Sequence, residues 1–187
     1  KVRMKKTLLY ILILFFLFIQ QSCINKKNKY SYQNKDKTIT IELVQLSDTN
    51  HTLRLSVNDS LHSEWKLDYP VFHMDFGDID NNESPEILVG VIKTTRFDPH
   101  LNKRLFIFKI TENLYIRPKW LGSRLGQPLE DFKLIIENGL SFIKTIEKEK
   151  DGTYLVCKYK WRGFGLEFVE YVARNISQKK AESLLNN

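Results

Sequence analysis

The sequence predicts an all-β protein: an antiparallel meander, propeller-blade-like or a partial propeller, followed by a short C-terminal helix. Three observations carry this. Apolar and polar residues alternate with period two over most of the chain. Turn-forming residues recur roughly every 8–12 positions, and no long helical pattern interrupts them.

Taken in order, Ile39, Ile41 and Leu43 alternate with Thr38, Thr40 and Glu42, and Leu53, Leu55 and Val57 alternate with Thr52, Arg54 and Ser56. Each run has one wet face, and the turn material Ser47-Asp48-Thr49-Asn50 between them makes the pair a hairpin. Further strands read at 63–68, 71–75, 86–93, 104–110, 114–119, 132–137, 140–147, 153–161 and 166–173. The stretch from Ile87 to Ile92 is almost continuously apolar, as a strand buried on both faces requires. Pro and Gly gather in residues 117–128, which read as a long connection and the best internal boundary. At the tail, Ser177 is placed to cap a helix running through Leu185.

The first 22 residues belong to another category. They hold Lys1, Arg3, Lys5 and Lys6, no acid, and an apolar run from Leu8 to Ile19, too short to span a bilayer and suited to a secretory signal. Met4 followed by Lys5-Lys6 reads as the start of that signal. The whole chain has 187 residues and a net charge of +7, but without this segment 165 residues remain, with 25 basic and 22 acidic side chains. A balance of +3 argues against a nucleic-acid partner. The expected organisation is therefore signal peptide 1–22, flexible basic tether 23–37 and one all-β domain 38–187.

Ile19-Gln20-Gln21-Ser22-Cys23 resembles the lipobox of bacterial lipoproteins. The resemblance implies that Cys23 is lipidated, becomes the mature N-terminus, and holds the domain to a membrane of the cell envelope. A periplasm-facing position at the outer membrane is expected, because no acidic stretch follows Cys23. Several acyl chains on one residue make a stable anchor, whereas a single chain holds only marginally. With Cys23 used for lipid, Cys157 is left as a lone thiol on the strand face shared by Leu155, Tyr159 and Trp161, where it reads as a small buried hydrophobe.

The most chemically suggestive segment is Phe76-Gly77-Asp78-Ile79-Asp80-Asn81-Asn82-Glu83-Ser84-Pro85-Glu86-Ile87-Leu88-Val89. Asp78, Asp80, Asn82 and Glu86 fall at alternate loop positions, and Ser84 can add its carbonyl, which suits the oxygen-rich shell of Ca²⁺. An EF-hand needs Glu where Val89 stands, so that motif is excluded. The segment resembles instead the FG-GAP or VCBS type of repeat, in which such a loop joins two strands of a propeller blade and holds calcium. Glu83 departs from that pattern, which has Gly at the left-handed position. Two readings stand: a calcium site at Asp78, Asp80, Asn82, Ser84 and Glu86, or an Asp/Asn-rich turn that caps its own backbone without metal.

Trp120 and Arg124 lie in one aromatic and basic stretch, and Trp161 and Arg162 in another. Trp beside Arg suits stacking on a glycan or anchoring a partner protein, and it equally suits a lid at the end of a sheet. His51, His62, His73 and His100 have no paired metal spacing; His73 and Asp75 share a strand face as a candidate acid-base pair, but a hydrogen-bonded structural histidine is the favoured reading. No catalytic set emerges. Two hypotheses follow: a non-catalytic envelope lipoprotein that binds a protein or glycan, with a calcium-stabilised loop in one version, and an envelope glycan-acting enzyme using Asp75, Asp78 or Glu86.

Overall fold

Strand pairing follows chain order throughout. The computed structural model describes residues 28–96, 98–122 and 125–187. Among the described residues, twelve strands form three four-stranded antiparallel sheets, each a simple up-and-down meander. Sheet one contains β1 (Lys29–Asn34), β2 (Lys37–Ser47), β3 (Asn50–Val57) and β4 (Ser60–Leu67). Sheet two contains β5 (Val71–Gly77), β6 (Glu86–Thr95), β7 (Asp98–Ile110) and β8 (Ile116–Leu121). Sheet three contains β9 (Leu129–Glu137), β10 (Leu140–Lys148), β11 (Tyr154–Trp161) and β12 (Leu166–Ile176), and α1 (Gln178–Asn186) follows. The all-β antiparallel class with a short terminal helix is thus the observed one.

Tight turns set the register. Asn58-Asp59 joins β3 to β4 and Asn138-Gly139 joins β9 to β10, with positive φ at both central residues of each pair. That backbone is the one a two-residue hairpin prefers, because it matches the strand twist.

Sheet two is the middle layer. Alternate residues of its strands serve opposite cores: Ile87, Val89, Val91, Phe106 and Phe108 pack on Ile39, Ile41, Leu43, Leu53 and Leu55 of sheet one. Leu88, Leu105 and Ile107 pack on Leu129, Phe132 and Ile143 of sheet three. Burial on both faces is the physical reason β6 is apolar at consecutive positions. Gly90 belongs to the same logic: a Cβ there would lie 2.5 Å from the Phe72 ring, so only glycine lets that ring close over β6.

The remaining face of sheet three is covered by α1, whose Ala181 and Leu185 bury against Ile146 and Val156. Ser177 caps this helix by accepting the Lys180 N–H, as its position in the sequence indicates. Among the described residues no helix is long and apolar enough to cross a membrane.

Two expectations are corrected. The tether read over 23–37 contains β1, because Tyr30 and Tyr32 set their rings on Phe76 at 5.3 and 5.7 Å and so hold a strand whose other side chains are polar and exposed. The connection read over 117–128 is shorter, since β8 runs to Leu121. Pro118 is tolerated in β8 because that strand is an edge of sheet two. What remains, 122–128, does carry the chain from sheet two to sheet three.

Candidate functional site

The loop between β5 and β6 is shaped by its own carboxylates. Asp78 accepts three backbone N–H groups, from Asp80 and Asn82 at 3.2 Å and from Glu83 at 2.6 Å. Asn82 accepts the Ser84 N–H at 2.8 Å. Glu83 takes φ of +68°, the left-handed conformation that costs a non-glycine residue about 1 kcal/mol.

Asp80 and Glu86 meet a cation from another strand. The Lys119 ammonium of β8 lies 2.5 Å from Asp80 and 2.6 Å from Glu86, and Glu86 also accepts the Ile79 N–H at 3.0 Å. Burial pushes the Glu86 carboxyl above its ordinary value, against the opposing pull of its Lys119 and Ile79 hydrogen bonds. Burial also works against the Lys119 charge, but the hydrogen bonds to Asp80 and Glu86 outweigh it and hold the ammonium above its usual pKa. The pair is therefore stable as an ion pair, with the desolvation cost falling on Glu86.

A metal has a partial fit here. Oxygens of Asp78, Asp80 and Glu86 lie within 4.8 Å of one another, and Asp80 Oδ1 is buried without a hydrogen-bond partner. Yet Asp78 already accepts three backbone donors, and Lys119 supplies positive charge to Asp80 and Glu86. A hard divalent cation would have to displace that ammonium and recruit six or more oxygens.

Lys119 also links the loop to the aromatic stretches. Its Nζ sits 5.1 Å from the centre of the Trp161 ring, a cation–π contact, and Trp120 and Trp161 both pack on the core between sheets two and three. Arg162 projects into solvent and pairs with Glu167 at 3.7 Å. Of the residues singled out from sequence, Cys23 and Arg124 lie outside the described residues.

Trp120 opens onto a cleft between sheets two and three, of about 400 Å³. Its outer wall is aromatic: Phe164, Phe168 and Tyr171 are all exposed. Its inner end is polar. Glu147, wholly buried, accepts hydrogen bonds from the Thr145 and Tyr159 hydroxyls at 2.8 Å and from the Gln127 N–H at 2.6 Å. The Gly126 N–H in turn donates to the Tyr159 oxygen at 3.3 Å. Burial, then the Glu147 charge, push the Cys157 thiol up to about 12, so it stays protonated and unreactive. Sequence reasoning missed Glu147. The signal was present, because period two from Ser141 and Ile143 sets Thr145 and Glu147 on the same core-facing side.

His73 and Asp75 do not form an acid-base pair, and His73 is the hydrogen-bonded structural histidine that the sequence favoured. His73 Nδ1 instead lies 2.6 Å from Asp131 of β9, and its ring stacks on Phe132 at 4.7 Å. Asp75 accepts the Leu134 and Phe76 N–H groups and the Tyr30 hydroxyl. It thereby ties sheet two to both neighbours.

No protein-family model matches the chain, and no characterised protein or solved structure matches it either.

Proposed function

We propose that this chain is an envelope lipoprotein, anchored through lipid on Cys23, whose β domain is a non-catalytic binding module. The observation that carries the non-catalytic reading is the commitment of the acidic segment to the fold. Asp75 and Asp78 are spent on backbone donors and a tyrosine, and Glu86 on Ile79 and Lys119. A carboxylate that holds a proton for chemistry must be free to exchange it with substrate. The cleft beside Trp120 is the surface that suits a ligand, and the 78–86 loop stiffens the β5–β6 hairpin.

Calcium in that loop is a second reading, favoured by the unpartnered Asp80 Oδ1. A rise in melting temperature at millimolar Ca²⁺ supports it, and an unchanged temperature refutes it. The glycan-enzyme alternative draws support from the raised Glu86, which lines a hollow with Asn82, Ser84 and Lys119. Glycan cleavage by the purified chain, lost in Glu86→Gln without loss of folding, would overturn the binding-module reading. For the anchor, Cys23→Ser should move the protein from the membrane fraction to the soluble one. A variant that stays with the membrane refutes lipidation at Cys23.

A further inference from the structure

We infer that the cleft between sheets two and three takes a small organic cation, a quaternary ammonium with a short apolar body. The inference rests on the binding-module reading above and names its ligand class.

The first ground is charge. Glu147 is wholly buried, and among the described residues its partners are two hydroxyls, a backbone amide and the Cys157 thiol, with no Lys, Arg or His in ion-pair contact. Glu86, the comparable buried acid, has Lys119. The acceptor oxygens of Glu147 make the inner end of the cleft electron-rich, in a low-dielectric site where electrostatic interactions act over a longer range than in water.

The second ground is the wall. Trp120, Phe164, Phe168 and Tyr171 present π surface to the same space. Phe164 is 86 % exposed, so its ring is accessible to a ligand from solvent. Tyr171 already carries the Arg174 guanidinium at 4.5 Å, which shows a ring of this wall accepting a cation and leaves Trp120, Phe164 and Phe168 for the ligand.

The third ground separates the ligand from a sugar. The polar groups at the inner end are spent on one another, because Tyr159 and Thr145 donate to Glu147 and the amides of Gly126 and Gln127 are both used. A glycan would find few directional partners there. A quaternary ammonium needs none, since it is held by negative potential and π faces alone, and a volume of about 400 Å³ is ample for one.

The test uses the full chain in a neutral maltoside detergent and two probes of the same shape, choline and its uncharged isostere 3,3-dimethylbutan-1-ol. Binding is followed by calorimetry and by tryptophan fluorescence. Choline is expected to bind saturably and about tenfold or more tighter than the isostere. Glu147→Gln should remove most of that preference while leaving the isostere unchanged. Because a buried substitution can disturb folding, Phe164→Leu provides a second variant at an exposed site, and it should weaken choline several-fold with an unaltered melting temperature. Equal affinity for the two probes overturns the cation assignment but leaves a binding cleft. Choline binding untouched by both variants overturns the assignment of the site. If neither probe binds, the cleft and its ligand class both fall, whereas the lipid anchor is judged separately by fractionation of Cys23→Ser.

Discussion

Replacing Lys119 by Met removes one ammonium and leaves two carboxylates facing each other at the base of the acidic loop. The Lys119 and Glu86 side chains are 14 % and 3 % exposed, so little water can take the lost cation's place. Breaking a buried pair by removing one partner typically costs about 3–5 kcal/mol, and the partial exposure of Asp80 brings the expectation toward about 3 kcal/mol. The cation–π contact with Trp161 adds at most about 1 kcal/mol. For a domain of this size the sum corresponds to a fall in melting temperature of roughly 6–15 °C.

The pH dependence gives a sharper test. Burial raises Glu86 in the folded state, so between the ordinary glutamate value of 4.5 and the raised one the folded protein holds a proton that the unfolded chain has released. Stability contributed by this group therefore falls as pH rises through that window. Without Lys119 the opposing hydrogen bond is gone and the shift widens. The Lys119→Met deficit should be largest at neutral pH and should shrink as pH falls below the glutamate range. Lys119 itself has a raised pKa, so its own share is lost only at strongly alkaline pH. Urea titrations at several pH values provide the assay, and adding Glu86→Gln to Lys119→Met should recover part of the loss at neutral pH. A deficit below about 1 kcal/mol at neutral pH, or one that grows on acidification, refutes the reasoning.

Two further substitutions probe the fold. Glu83 holds a left-handed backbone, so Glu83→Gly should be neutral or stabilising by up to about 1 kcal/mol, while Glu83→Val should cost about 1–2 kcal/mol, both read from denaturation midpoints. At Gly90 the new Cβ of Gly90→Ala would strike the Phe72 ring and should destabilise by about 1–3 kcal/mol. A melting temperature equal to that of the parent would show that the ring moves freely.

Particular residues show how much could be read without coordinates. Period-two alternation disclosed the strands from Ile39 onward, because a strand with one buried face must alternate and β6, buried on both, must not. Strand β1 escaped notice because only Tyr30 and Tyr32 mark it among lysines and amides, and it is an edge strand stabilised by rings on Phe76. The loop carboxylates were visible as a cluster. Their counter-ion was not, since Lys119 lies 33 residues beyond Glu86 in the chain.

The sequence by itself determined the periodic elements and the capped helix at Ser177, and it marked Cys23 and the 78–86 loop as candidates, since each depends on residues close together in the chain. Only the tertiary structure decided that His73 pairs with Asp131, that Lys119 answers Asp80 and Glu86, and that Glu147 lies hydrogen-bonded but without a cationic partner beneath an aromatic cleft. Such pairings arise between sheets. They are fixed by how three twisted layers pack, and no local pattern in the chain encodes which distant charge will face which.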